Sequence, residues 1–291
     1  MNQNSQPISK FMKFLQFPLI RIFLGFFVLL FFGSIFQIGT ERIIGHEPAL
    51  ANIISVIITS AAFFFAYYGF VHLIERRNVS ELSFSSAWQE LASGALIGAM
   101  LFSTTIGLIW VLGFYHISGI NEWSVITPWL VLSIVSSISE ELLIRGILFR
   151  IMEESLGTWI ALGITALIFG LLHLGNPNAT LWGAIAISIE AGVMLAAAFV
   201  YTRRLWLPIA IHFAWNFTQG AIFGVTVSGN EAKGVFQSTL SGPTLLSGGD
   251  FGAEASIFAV VICLTAGIWF VWKSYKQGKF IQPFWTRKST S

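Results

Sequence analysis

The chain has 291 residues, 55% of them hydrophobic and only 10% charged, with 28 Phe and 11 Trp; its mean hydropathy is +0.75. Soluble domains carry about a quarter of their residues as Asp, Glu, Lys or Arg, so this composition excludes a surface that meets water on every side. A net charge of +2 without a run of Lys or Arg excludes a nucleic-acid partner, and the single cysteine, Cys263, excludes an internal disulfide or a Cys-rich metal site.

Apolar stretches of about 20 residues between charged or Gly/Pro/Asn breaks predict eight spans. They are 18–38, 52–74, 92–113, 127–149, 158–174, 179–201, 205–225 and 255–273. None alternates apolar and polar residues as a barrel strand would, so the predicted fold class is an all-α polytopic membrane protein. The first span follows basic residues but is long and has no A-x-A exit, which reads as an uncleaved anchor. The fifth ends in the breaker Gly175-Asn176-Pro177-Asn178. Residues 226–254, rich in Gly and Ser, read as a flexible loop. With no repeat visible, 1–291 reads as a single integral membrane domain.

Basic residues give the direction. Lys10, Lys13, Arg21, Arg76, Arg77, Arg150, Arg203, Arg204, Lys273, Lys276, Lys279, Arg287 and Lys288 fall on one side, and only Arg42 and Lys233 on the other. Both termini are therefore predicted to be cytoplasmic, with the protein in the cell's inner or plasma membrane.

An ionisable side chain at mid-membrane costs about 2.5–3.5 kcal/mol on insertion scales. The fourth span carries Glu140, Glu141 and Arg145. Glu141 and Arg145 stand at i, i+4 with the acid first, the favourable order for a helical ion pair, and this pair reads as structural. Glu140 points about 100° away, has no local partner, and must face the bundle interior or water. Phe169 and His173 in the fifth span, and His212 and Asn216 in the seventh, are also i, i+4 pairs, each on one helix face. A lone membrane His is more often a hydrogen-bonded packing residue. Together, however, Glu140, His173, His212 and Asn216 are the groups needed to activate a water and stabilise an oxyanion. Glu190, mid-way along the sixth span, reads as a helix-packing group. Counted from the basic side, His212 lies about 10 Å deep, Glu140 about 15 Å and His173 about 22 Å, so a shared site requires tilt or a moved boundary.

Several membrane chemistries are excluded. There is no H-E-x-x-H, no G-x-S-G and no Walker sequence, and Asp250 is the only aspartate, which removes a two-aspartate protease.

The set Glu140-Glu141-x-x-x-Arg145, Phe169-x-x-x-His173 and His212-x-x-x-Asn216 resembles the three motifs of the type II CAAX prenyl endopeptidases and bacteriocin-processing enzymes (the CPBP, or Abi, intramembrane proteases). The resemblance covers roughly 125–225, a catalytic core. It implies about eight helices around an intramembrane cavity, and a peptide or membrane-protein substrate, with or without a lipid, in the bilayer. Glu140 would be the general base, His173 would hold the attacking water, and His212 and Asn216 would stabilise the oxyanion. Glu141 and Arg145 would position the Glu140 helix, and Phe169 would pack the site. Two routes share these residues: no cofactor, with Glu140 activating water directly, or zinc held by Glu140, His173 and His212. The metal-independent route is preferred here, because no compact zinc motif is present. The alternatives are a non-enzymatic scaffold or bacteriocin-immunity protein and, further off, a proton-coupled transporter using Glu140, His173, His212 and Glu190.

Overall fold

The computed structural model describes residues 10–44 and 48–287, and gives no side-chain placement over 40–52. The side chain of Arg42, and all of His46 and Lys288, lie outside the described residues. Among the described residues eight long helices form the bundle: α1 (Pro18–Ile44), α2 (48–75), α3 (Ala87–Val111), α4 (126–156), α5 (Thr158–Leu172), α6 (181–202), α7 (206–222) and α8 (Ile257–Lys276). Six of the described helices are long and apolar enough to cross a membrane, fewer than the eight spans expected. The other two expected spans are α4 and α7. Charged Glu140, Glu141, Arg145 and Arg150 interrupt the apolar run of α4, and α7 is short, 12 residues of α-helix and five of π-helix.

Burial places α6 at the centre: 78% of its most apolar window is buried, against 17–39% in the other five apolar helices. Small residues allow this. Ala196, Ala197 and Ala198 are fully buried, and Gly192 lies so close to α5 that an added Cβ would stand 2.8 Å from the Ala166 Cα. One hydrophobic cluster, with Tyr67, Leu142, Ile147, Phe149 and Phe199, joins α6 to α2 and α4. A second, with Phe102, Leu195, Trp215 and Phe270, joins it to α3, α7 and α8.

Four helices contain π turns: Phe70–Glu75, Leu142–Phe149, Ser188–Val193 and Thr218–Ile222. Such turns re-aim side chains, and their carbonyls here also accept from side chains. The Gly146 carbonyl accepts from the Tyr67 hydroxyl (3.0 Å) and Arg150 Nε (2.8 Å).

At the end of the bundle where α4 meets α5, an ion-pair network ties the helices together. Arg21 binds Glu75 and Glu154, Arg150 binds Glu75 and Glu154, Arg77 binds Glu75 and Glu81, and Arg203 binds Glu153. The C-terminal tail is tied in by paired hydrogen bonds between Thr158 and Ile281.

The opposite end contains the only strands among the described residues. β1 (Tyr115–Ile120) pairs antiparallel with β2 (Phe236–Leu240), with an irregularity between Ile117 and Gly119. Residues 226–254, expected as a flexible loop, contain β2, three short helical turns and the buried side chains of Val227, Val235, Phe251, Ala253 and Glu254. Contacts hold this segment down: Asn176 Nδ2 donates to the Ser228 carbonyl (2.9 Å) and Asn178 Nδ2 to the Gly229 carbonyl (3.2 Å). Gly229 (φ +82°) could not be any other residue, since its Cβ would fall 1.7 Å from the Pro177 carbonyl oxygen.

Candidate active site

Glu140 and Glu141 close the α-helical part of α4, just before its π turn. Consecutive residues project about 100° apart, and the two carboxylates have different surroundings. Glu141 is fully buried, and its Oε1 accepts from Arg145 Nη1 at 2.8 Å. Arg145 is itself buried. Its Nη2 donates to the Ala191 (3.0 Å) and Gly192 (3.2 Å) carbonyls in the π turn of α6, and its guanidinium carbon lies 4.5 Å from the Phe169 ring centroid. One side chain thus joins α4, α5 and α6.

The Glu141 Oε1 also receives His212 Nδ1 at 3.0 Å. A carboxylate only accepts, so Nδ1 carries the hydrogen and Nε2 faces the other way. There it stands 3.9 Å from Glu140 Oε2. His173, at the C-terminal end of α5, places Nδ1 2.8 Å from the Phe169 carbonyl oxygen, which again only accepts. Both imidazoles are therefore fixed at Nδ1 and leave Nε2 for other partners. Phe169 packs beside both rings, with centroids 4.9 Å from His173 and 6.3 Å from His212. Asn216 lies one turn beyond His212, and its amide makes no hydrogen bond among the described residues.

Glu140, His173, His212 and Asn216 all line one cleft of about 180 Å³. The depth mismatch between Glu140 and His173 disappears because α4 continues to Leu156, beyond the expected end at 149. Glu140 is then 16 residues, or about 24 Å, from the α4 end, and His173 lies about 22 Å from the α5 start. A neighbouring recess of about 200 Å³ shares Glu140 and His173 and is bounded by Phe26 of α1. The buried Oε2 of Glu140 has no hydrogen-bond partner among the described residues, which marks it as an acceptor awaiting a donor.

Sequence reasoning missed Asn176, Ser133, Ser136, Ser228 and Asn230, which also line the cleft. Asn176 was legible only as part of a breaker, although it stands three residues after His173. The sequence pairs Glu141 with Arg145 in support of the Glu140 helix; its further role, fixing His212, depends on a residue 71 positions away. Glu190, read as a helix-packing group, is buried and lines a small chamber behind His212 and Asn216.

Glu140, His173 and His212 offer a carboxylate and two Nε2 atoms, the right chemistry for zinc. His212 Nε2 and Glu140 Oε2 stand 3.9 Å apart, and among the described residues no three His, Cys, Asp or Glu side chains are grouped as a metal shell.

Residues 122–218, from the turn before α4 to the π turn of α7, match the family model described as type II CAAX prenyl endopeptidase Rce1-like. A Bacillus subtilis (strain 168) protein named "Putative membrane peptidase YdiL" is 32% identical over 87 residues, which is 30% of this chain. That alignment spans 33% of the relative's length. No solved structure matches the chain. The segment holding Glu140, Glu141, Arg145, Phe169, His173, His212 and Asn216 is therefore similar to the Rce1-like type II CAAX prenyl endopeptidases, the family its three motifs resemble.

Proposed function

We propose that the protein is an intramembrane endopeptidase that hydrolyses peptide bonds with a water activated by Glu140. The observation that carries this reading is the convergence of Glu140, His173, His212 and Asn216, from three helices, on one cleft. A scaffold has little physical need for a mid-membrane carboxylate whose Oε2 has no partner.

Glu140 takes a proton from a water that His173 Nε2 holds in place. The water oxygen bonds to the substrate carbonyl carbon, and the C=O electron pair moves to oxygen. The Asn216 amide donates to that oxyanion, and His212 donates from Nε2 when doubly protonated beside the Glu140 and Glu141 carboxylates. Collapse breaks the C–N bond, and Glu140 returns its proton to the leaving amine. Glu141, Arg145 and Phe169 act by holding His212 and the three helices in register. No step in this route passes through a metal. The substrate is a peptide or membrane-protein segment, with or without a lipid, and both termini are cytoplasmic.

The test is cleavage of an internally quenched peptide library, with and without a lipidated cysteine, by purified protein in detergent. Wild type and Glu140→Gln are compared, each with and without a strong chelator. Cleavage by wild type and its loss in Glu140→Gln support the reading. Specific peptide binding by both forms without cleavage would overturn it in favour of a scaffold.

A further inference from the structure

Behind the cleft lies a chamber of about 30 Å³, lined by Glu190 of α6, Glu254 from the turn before α8, and Trp215 of α7. That volume suits one or two waters. Glu190 is 3% exposed and Glu254 is 2% exposed. Glu190 receives no hydrogen bond from nitrogen or oxygen among the described residues; its neighbours are the Cys263 thiol and the Glu254 carboxyl. Glu254 accepts from the Ser228 backbone N–H. The buried Trp215 Nε1–H has no acceptor among the described residues. Asn216, Ser228, His173 and His212 line both the chamber and the cleft, so the two spaces share a wall. Arg145 stays outside it, bound to the Ala191 and Gly192 carbonyls beside Glu190.

Two buried carboxyls that feel each other's charge do not both ionise readily, and an unpaired buried carboxyl holds its proton. We propose that Glu190 and Glu254 share a proton across an internal water, and that this inner pair exchanges protons with the cleft past Asn216 and Ser228. This role rests on the peptidase reading for its use, but the pair itself does not. The transfer moves one proton and no electrons. The O–H bond of the protonated carboxyl breaks as the water takes its proton, and the water passes one of its own to the neutral amine that Glu140 has already released, giving an ammonium in the cleft. The donating form of the pair carries two protons; after the transfer one carboxylate remains and shares the second proton with its partner, and the pair is recharged by the reverse path from solvent. Burial supports this, since it pushes the Glu254 carboxyl up to about 7.

The experiment is infrared spectroscopy of the full chain in detergent, in light and heavy water, following the C=O band of protonated carboxyl groups against pH. Wild type is expected to lose the band in two steps, the lower near 7. Each of Glu254→Gln and Glu190→Gln should reduce the two steps to one, because the steps belong to the pair, and each single variant serves if the other fails to fold. A wild type without a protonated-carboxyl band at pH 6, or a titration that neither variant alters, overturns the pair. For exchange with the cleft, the alkaline limb of the cleavage rate should move by about one pH unit in Glu254→Gln. A uniform loss of rate at every pH would show a structural role only and overturn the exchange. A wild type that cleaves nothing at any pH overturns the peptidase reading, while the infrared steps still decide the pair.

Discussion

The placement of His212 depends on how closely α7 approaches α3, and two glycines of α3 set that distance. A Cβ on Gly98 would stand 2.3 Å from the Ile211 carbonyl oxygen and 3.0 Å from the Ala214 Cβ, whereas ordinary contact begins near 3.4 Å. Gly94, one turn earlier, meets the Leu207 carbonyl oxygen at 2.8 Å in the same way. Gly98→Ala must therefore push the backbone of α7 back by about 1 Å at Ile211, the residue before His212. Backbone atoms cannot swing aside, so the strain falls in the range of about 1–3 kcal/mol typical of overpacking. A 1 Å misplacement of a catalytic group costs on the order of 100-fold in rate. Peptide cleavage by Gly98→Ala should thus fall by about two orders of magnitude, with a fall of several degrees in melting temperature. Gly107, on the same helix, has nothing within 4 Å of its would-be Cβ, and Gly107→Ala should leave the rate unchanged and stability equal or higher. Equal activity in Gly98→Ala and Gly107→Ala would refute the claim that the α3–α7 approach sets the position of His212.

Glu140→Gln and His173→Ala should each abolish cleavage while the protein is still recovered folded, as judged by size-exclusion profile and melting temperature. Arg145→Ala strands the buried Glu141 and releases three helices at once, so it should lower stability by about 3–5 kcal/mol and reduce both yield and activity. A strong chelator should leave wild-type cleavage unchanged, measured after exhaustive dialysis; loss restored by zinc would replace the direct-water route. Burial raises the Glu254 carboxyl from 4.5 to about 7. Below both values the group is protonated in the folded and unfolded states, and its stability contribution is fully present. As pH rises between them, only the unfolded chain releases the proton, so stability falls by about 3 kcal/mol and levels off above 7. Thermal melts across this range should show that slope in wild type and lose it in Glu254→Gln.

The helices were largely readable because a membrane imposes long apolar runs, and those runs are local. The same signal is weakest at α4 and α7, where Glu140, Glu141, Arg145 and His212 displace apolar residues, yet those costly residues are what mark the site. Contacts between distant segments were not readable. Tyr115-His116-Ile117-Ser118-Gly119-Ile120 has no strong strand pattern, and it becomes a strand by pairing with Phe236–Leu240. Ser228 and Asn230 sit in a run whose Gly and Ser content suggests a loose loop. They reach the cleft because Asn176 and Asn178, beyond α5, bind the carbonyls of Ser228 and Gly229. Glu254 likewise gave no signal, since a carboxylate in a polar loop is ordinary until the fold buries it.

The arginines behind the predicted orientation are largely neutralised in the finished protein. Arg21, Arg77, Arg150, Arg203 and Arg204 each bind one or more of Glu75, Glu81, Glu90, Glu153 and Glu154. Acidic residues contribute little when a nascent chain is oriented, so under the predicted orientation the basic excess would act during insertion, before these partners meet. In the assembled bundle the same guanidinium groups turn inward and hold helices together. The side chains whose count would address the chain to the membrane are thus also the mortar between its helix ends.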